Sequence, residues 1–539
     1  EARYQAGERG PQLLRRISEV ARRLDALGAS EASAAHLLAG RLALADGRSR
    51  AADRQLQLAG RHSKDSPPLA RSAAWLGKAL RADARGDVRG MLSACARGLD
   101  ALDEHRLTMG ATELRALATG HGAELAELAL RDALRRDDAR RLLVWSERWR
   151  ATALGVTPVR LSDDEHLVVE LAALRDVVRR LDAEPDPSAE KERRRLEKAV
   201  RDRVLRAQGG PSGGGARRFD LGELVGALGE TVLVELVEVD GVLHAVVVRD
   251  GKISRQVVGP LEAAAVEVER SRFRLRRLAH GRSQHGPSLE VLGARLGDAI
   301  LGSAQEFLGD RPVVMVPPSR LQALPWGLVP SFADRPVNVA PSAASWLRAR
   351  RLRPPADRRV VLVLGPGLSA GRTEVMRLAE QYPDATVLAD GDATAEKVLR
   401  ELDGAWIAHI AAHGTFRSDS PLFSSLLLDD GPLTVYDFER LRRAPYRMVL
   451  SSCDSGLAKP VGADELLGLS SSLIPLGAAG ILASVVPVND PATAPLMLAL
   501  HGNLREGQSL AAAFAGARAE ARGDPVAVAA GRSFVALGA

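Results

Sequence analysis

Apolar positions along the chain follow two different periods, one helical and one strand-like, and the change between them falls near residue 215. Over residues 1 to about 155, Ala and Leu recur at helical spacing and strand-like alternation is absent. Residues 12–27 read as a helix. Helices at 34–44 and 51–59 flank the turn Asp46-Gly47, and helices at 72–84 and 88–102 flank Gly86-Asp87, so helix, turn and helix occur twice over. A third pair runs through 125–134 and 138–149, with Asp137-Asp138 at its turn. Residues 164–181 are amphipathic, and Glu184-Pro185-Asp186-Pro187 breaks the pattern. Residues 188–208 resume it with Glu and Arg four apart, which predicts a long antiparallel helical hairpin. The run Gly209-Gly210-Pro211-Ser212-Gly213-Gly214-Gly215 is the clearest boundary in the chain.

Beyond that linker, β-rich runs at 231–237, 242–248 and 252–258 are separated by Asp240-Gly241 and Asp250-Gly251, both hairpin turn pairs. Helices follow at 261–278 and 289–307, then a short strand at 313–316 and the segment 321–326. From Arg359 onward, short apolar strands at 360–364, 385–388, 405–411, 448–451 and 480–486 are interspersed with helices at 374–381, 393–402 and 465–476, and two helices close the chain. Short buried strands between helices predict a mostly parallel sheet covered on both faces.

Composition adds limits. A chain of 539 residues exceeds one hydrophobic core and suggests two to four domains. No stretch reaches the roughly 18 to 20 continuous apolar residues of a membrane span. The chain starts at Glu1 rather than Met, which reads as a processed or truncated start, and no signal peptide is visible after it. Two isolated cysteines, Cys95 and Cys453, do not make a disulfide framework and fit a reducing, cytoplasmic setting. The formal charge is +6, with the basic residues almost all Arg and interspersed with 68 acidic ones; aromatics are only 4%. That is a solvated mixed surface, and direct nucleic-acid binding is not expected from it. In the helical front, Trp75, Leu76 and Gly77, with Ala94 on the next helix, loosely resemble a tetratricopeptide repeat. An irregular helical bundle fits the same pattern. Stacked repeats would offer a concave surface for a protein activator.

Two of the expected strands end in reactive residues. One reads Ala405 to Gly414 and closes in His413-Gly414; the other reads Tyr446 to Gly456 and passes through Cys453. Sites in such sheets form beyond the carboxyl ends of strands. A thiol needs a nearby base to become thiolate at neutral pH, and an imidazole suits that task and can then protonate a leaving amine. The backbone N–H groups of Gly414 and Cys453 are expected to serve as oxyanion donors. Cys95, in an apolar helix, reads as a packing residue. His409 lies on the same strand face as His413 and reads mainly as a core histidine. A zinc site from His409, His413 and Cys453 lacks the local paired ligands of structural zinc, so neither metal nor cofactor is expected.

These motifs resemble the CHAT domain, the bacterial branch of the caspase and separase clan. The resemblance rests on 409–414, 426–428, 450–456, 462–469 and 477–490, with 313–317 and 321–326 matching the non-catalytic half that precedes the active half in CHAT proteins. It implies an α/β caspase-like fold behind an all-α region of tetratricopeptide-like repeats. It also implies a cysteine endopeptidase in which His413 and Cys453 form the dyad and Gly414 donates to the oxyanion. The family more often has Ala before the Cys and Gln-Thr after it, where this chain has Ser452 and Asp454-Ser455. Asp490 stands where separases carry an acidic pocket residue, which implies cleavage after Lys or Arg; Asp464 and Glu465 are second candidates. Asp490 followed by Pro491 equally suits a helix cap. The expected layout is repeats at 1–158, hairpin and linker at 159–215, a non-catalytic half at 216–357 and a catalytic half at 358–539. The resemblance also implies a protein substrate as partner, in a setting of defence or regulated cell death. The alternatives are an inactive interaction scaffold and a thiol transpeptidase.

Overall fold

The computed structural model describes residues 10–29, 31–62, 66–154, 164–206, 219–279, 288–451, 455, 457–461, 465–468, 472–488, 490–521 and 523–539. The chain forms two compact units: Glu1–Val156 with Gln208–Gly215, and Thr157–Ala207 with Ala216–Ala539.

Among its described residues the elements of the first unit are helices: α1 (Pro11–Ala26), α2 (Ala32–Ala45), α3 (Ser49–Ala59), α4 (Pro68–Ala84), α5 (Val88–Leu107), α6 (Thr112–Thr119), α7 (Ala123–Arg135) and α8 (Ala139–Leu154). The turns expected between paired helices contain left-handed residues: Gly47, Gly86 and Asp137 have φ of 68°, 71° and 51°. A left-handed residue stops a helix, and glycine adopts it without a Cβ clash. At two of these turns an Asp then starts the next helix. Asp87 accepts from the Gly90 amide at 2.9 Å and Asp138 from the Arg141 amide at 2.8 Å. Leu56, Met91, Cys95, Leu99 and Leu125 pack between the helices. Burial pushes the Cys95 thiol up to about 12, as its role as a packing residue requires.

The second unit opens with the predicted hairpin, α9 (Glu165–Ala183) and α10 (Pro187–Arg206), tied by the two-bond ion pair Arg203–Glu170 at 2.9 and 3.0 Å. Then come α11 (Leu221–Leu228), β1 (Val232–Val239), β2 (Val242–Arg249), β3 (Lys252–Pro260), α12 (Leu261–Ala279), α13 (Leu289–Ile300), β4 (Val313–Val316), β5 (Val337–Val339) and α14 (Ala343–Arg351). Asp240, Gly241, Asp250 and Gly251 all have positive φ, the geometry of tight hairpin turns. The chain continues through β6 (Val360–Leu364), α15 (Ser369–Gln381), β7 (Thr386–Leu388), α16 (Ala395–Leu402), β8 (Ile407–Ala411), β9 (Gly414–Thr415), β10 (Ser425–Leu428), β11 (Gly431–Thr434), α17 (Val435–Phe438) and β12 (Arg447–Ser451). It ends with β13 (Ala458–Val461), β14 (Glu465–Gly468), β15 (Gly480–Ser484), α18 (Asp490–Arg505), α19 (Leu510–Glu520), α20 (Pro525–Ser533) and β16 (Phe534–Gly538).

Among the described residues, eleven strands form one sheet in the order β3-β2-β1-β4-β5-β16-β15-β12-β8-β6-β7. Most neighbours run parallel; the first hairpins and β16 against β15 are antiparallel. Strands β6, β8 and β15 are buried along their whole length, as a sheet covered on both faces demands. Leu362, Leu364, Ile407, Val449 and Leu482 pack on one face against Val375, Leu378, Leu496, Met497 and Phe514 from the covering helices. The expected α/β architecture behind an all-α region is therefore the one observed.

Three details differ from the expectation. Glu465–Gly468, expected within a helix at 465–476, is strand β14 paired antiparallel with β13. The register sets Glu465 opposite Val461 and Leu467 opposite Lys459, so hairpin pairing overrides helical spacing there. Three helices rather than two follow β15. The last strand, β16, was not expected at all; it lies between β15 and β5 and joins the two sets of strands into a continuous sheet.

Candidate active site

Parallel pairing sets the two reactive segments side by side. Strand β8 lies between β6 and β12, with Ile410 opposite Leu450 and Ala411 opposite Ser451. The carboxyl ends of β8 and β12 are therefore level at one sheet edge. His413 follows Ala411 by two residues, and Cys453 follows Ser451 by two in the sequence. Cys453 lies outside the described residues, as does Asp464. Glu465 and Asp490 fall in β14 and at the first position of α18, with their side chains outside the described set.

His413 is exposed at this edge. Its carbonyl accepts from the Leu427 amide at 2.8 Å, so its backbone is fixed while its ring stands in solvent. The ring lies over Gly367, in the turn after β6, where a Cβ would come 3.6 Å from Nε2. Gly367 has φ +77°, and the turn before it is equally confined: a Cβ on Gly365 would stand 2.5 Å from the Leu427 carbonyl. Among the described residues no side chain hydrogen-bonds the His413 ring, so no third member of a triad is assigned.

Gly414 begins β9, the outer strand of a small sheet ordered β11-β10-β9. The Leu427-to-His413 bond and the pairing of Leu426 with Gly414 fix the alternation of this antiparallel ladder. Gly414 and Leu426 are then a non-hydrogen-bonded pair. The N–H of Gly414 points away from β10, off the outer edge of the sheet. A donor not spent on the ladder is what an oxyanion site needs.

Four residues beyond the end of β12, Ser455 is buried. Its Oγ accepts from the Ser484 amide at 3.2 Å and lies 3.5 Å from the Leu450 carbonyl. Ser455 thus bonds to the ends of both β12 and β15.

His409 is fully buried and does not join the edge. Its Nε2 is 2.7 Å from Glu374 Oε1, its Nδ1 3.1 Å from His501 Nε2, and His501 Nδ1 3.2 Å from the Tyr382 hydroxyl. Burial, then the neighbouring His409, holds His501 well below the usual imidazole range, and burial pushes Tyr382 up to about 12. This chain lies beneath the sheet, on the face covered by α15 and α18. Sequence reading placed His409 in the core but missed its partners, which come from helices remote in sequence. Among the described residues no three His, Cys, Asp or Glu side chains are grouped to hold a metal ion.

Residues 289–529 match the family model of the CHAT domain. This part of the chain is a CHAT domain. The match starts at α13 and spans the strands on both sides of the β5–β16 seam, so the caspase-like class expected from the motifs holds for the sheet that carries His413. No curated protein matches the chain. Among solved structures, the Saccharomyces cerevisiae separase–securin complex aligns at TM-score 0.43 with 9% identity over 97% of this chain, and a second structure of that complex gives 0.43 with 10%. The chain spans about half the separase chain, 48%. The Arg-specific cysteine proteinase gingipain R aligns at 0.34 with 11% identity over 50% of this chain and 75% of its own.

Proposed function

We propose that the protein is a cysteine endopeptidase that cleaves a protein substrate through His413 and Cys453. The observation that carries this reading is the register of Ala411 with Ser451, together with the N–H of Gly414, three residues beyond Ala411, which the ladder of the small sheet leaves unused. In the proposed cycle, His413 takes the Cys453 thiol proton and the sulfur attacks the scissile carbonyl carbon. The N–H groups of Gly414 and Cys453 bind the resulting oxyanion. Collapse breaks the C–N bond, His413 passes its proton to the leaving amine, and a thioester remains. Water, deprotonated by His413, then releases the acid and regenerates the thiol. The exposure of His413 suits a base that must reach an extended chain from outside.

Cleavage after Lys or Arg belongs to the same proposal, with Asp490, and after it Asp464 and Glu465, as the carboxylates that would meet the basic side chain. The helical unit would hold a protein activator, and the setting is cytoplasmic, in defence or regulated cell death. No helix among the described residues is long and apolar enough to cross a membrane. Incubating wild type, Cys453→Ala and His413→Ala with peptide libraries and reading new N-termini by mass spectrometry tests the reading. Expected are cleavages after Lys or Arg made by wild type alone. Identical peptide patterns in all three proteins would favour an inactive scaffold, and transfer of the acyl group to added amines in preference to water would favour a transpeptidase.

A further inference from the structure

The helical hairpin contacts the small sheet that carries Gly414, and one buried side chain reaches both ends of strand β11. Arg175, on α9, is 7% exposed. Its Nη1 donates to Asp437 Oδ1 at 2.9 Å, and its Nε lies 3.4 Å from Asp430 Oδ2. Asp437 is fully buried, and its other oxygen accepts from the Thr434 amide at 2.9 Å and hydroxyl at 2.8 Å. Asp430 in turn accepts from the Ala395 amide at 3.0 Å. The strand itself touches the helix: a Cβ on Gly431 would come 2.7 Å from the Arg175 carbonyl. One guanidinium thus fixes both ends of β11.

From β11 the path to the edge is short and made of backbone. Leu433 of β11 pairs with Leu426 of β10, and Leu426 pairs with Gly414. Leu427, between them, donates to the His413 carbonyl. At the other side of the small sheet, Glu197 on α10 bonds Arg417, whose amide is held by Ser424 Oγ at 3.1 Å. The hairpin therefore clamps the sheet on both flanks. A buried ion pair of this kind is costly to desolvate and adds little net stability over an apolar packing, but it fixes one register of two surfaces. The surface it fixes is the one that aims the Gly414 N–H.

We infer that Arg175 is a positioning residue for the oxyanion donor, acting through Asp437 and β11 on Gly414. This rests on the peptidase reading above. The role goes beyond holding the hairpin in place, and Arg203 separates the two: its pair with Glu170 joins the same two helices, and its ion partners among the described residues, Glu170 and Asp164, both belong to the hairpin. The test compares Arg175→Gln, Arg175→Lys and Arg203→Gln in the full chain. Small misplacement at a reacting centre costs about a hundredfold in rate. Arg175→Gln is expected to lower kcat about tenfold to a hundredfold, with KM little changed. Arg175→Lys should recover part of that, and Arg203→Gln should keep the wild-type kcat. Hydrogen exchange at the Leu427 amide gives a readout independent of activity: it should be faster in Arg175→Gln than in Arg203→Gln. Equal kcat in Arg175→Gln and wild type, or equal losses in Arg175→Gln and Arg203→Gln, would overturn the inference while leaving the peptidase reading intact. If wild type made no Cys453-dependent cut, the peptidase reading would fall, and equal Leu427 exchange in the two variants would then overturn the positioning role as well.

Discussion

In the proposed cycle, the residues at the sheet edge divide the work between side chain and backbone. Gly414 contributes an N–H that the β9–β10 ladder does not use, so Gly414→Pro removes the donor without breaking a ladder bond. Loss of an oxyanion donor costs about 10² to 10³ in kcat. Gly414→Pro is therefore expected to lose that much, with β10–β11 amides still protected in hydrogen exchange. A kcat within a few-fold of wild type would remove Gly414 from the oxyanion site. Beneath the edge, His501 gives a pH dependence whose sign follows from its environment. Burial, then His409, depresses its folded-state value, while the unfolded chain titrates near 6.5. Below about pH 6.5 the unfolded state binds a proton that the folded state refuses, so stability is fully present above that pH and falls as pH drops. The groups facing it are His409, Glu374 and Tyr382, with Arg505 over the Tyr382 ring. Urea titrations at pH 7.5 and 5.5 should show a loss of at most about 1.4 kcal/mol per pH unit from this site, reduced in His501→Gln. An identical pH slope in that variant would assign the loss elsewhere. His413, Gly414 and Cys453 could be singled out in the sequence because each follows an apolar strand. The partners of His409 could not: Glu374 and His501 look like ordinary helix residues until α15 and α18 are laid on the sheet.

At the scale of elements, the sequence is most legible where a local pattern decides the structure. The turns at Asp240-Gly241 and Asp250-Gly251 demand left-handed backbone, and the strands beside them fall within a residue or two of the expected limits. The break at Glu184 to Pro187 and the helices on either side are as the periodicity predicts. Legibility fails where an element exists only through its neighbours. Strand β16 is five residues of mixed apolar character with no turn signal before it, and pairing with β15 and β5 makes it a strand. Strand β14 likewise takes its form from β13. The bond from Arg175 on α9 to Asp437, just after β11, links residues 262 positions apart, and the contact has no sequence signature except a glycine. That glycine gives an element-scale expectation. Gly431 has φ +118° and no room for a Cβ, so Gly431→Ala must both strain the backbone and push α9 away. A destabilisation of about 1 to 3 kcal/mol by chemical denaturation is expected, and an unchanged midpoint would mean that the helix gives way freely.

For the molecule as a whole, the C-terminal strand matters more than its position suggests. Within the larger unit it completes the sheet between β5 and β15, and Arg518 on α19 adds bonds to the Phe332 and Arg335 carbonyls at 3.2 and 3.3 Å. Removing residues 534–539 would leave two unpaired strand edges at the centre of the sheet, a template for aggregation. Light scattering should report self-association of the truncated chain under conditions where the full chain stays monodisperse; a monodisperse truncation melting at the wild-type temperature would contradict this role. The helical front and the strand-bearing part differ in hydrophobic period along the sequence. The hairpin was not assigned to its unit by any sequence feature: the glycine-rich run marks the chain after it, whereas its packing lies with the strands that follow.

The pairing of His413 with Cys453 is tested most directly by the rate at which each cysteine is alkylated. Cys95 is fully buried with its thiol pushed up to about 12, so it serves as an internal reference that hardly reacts in the folded chain. With iodoacetamide at pH 7 and mass-spectrometric readout, Cys453 should be modified far faster than Cys95 in wild type, and His413→Ala should slow Cys453 about tenfold or more by removing its base. Equal Cys453 rates in wild type and His413→Ala would contradict the dyad.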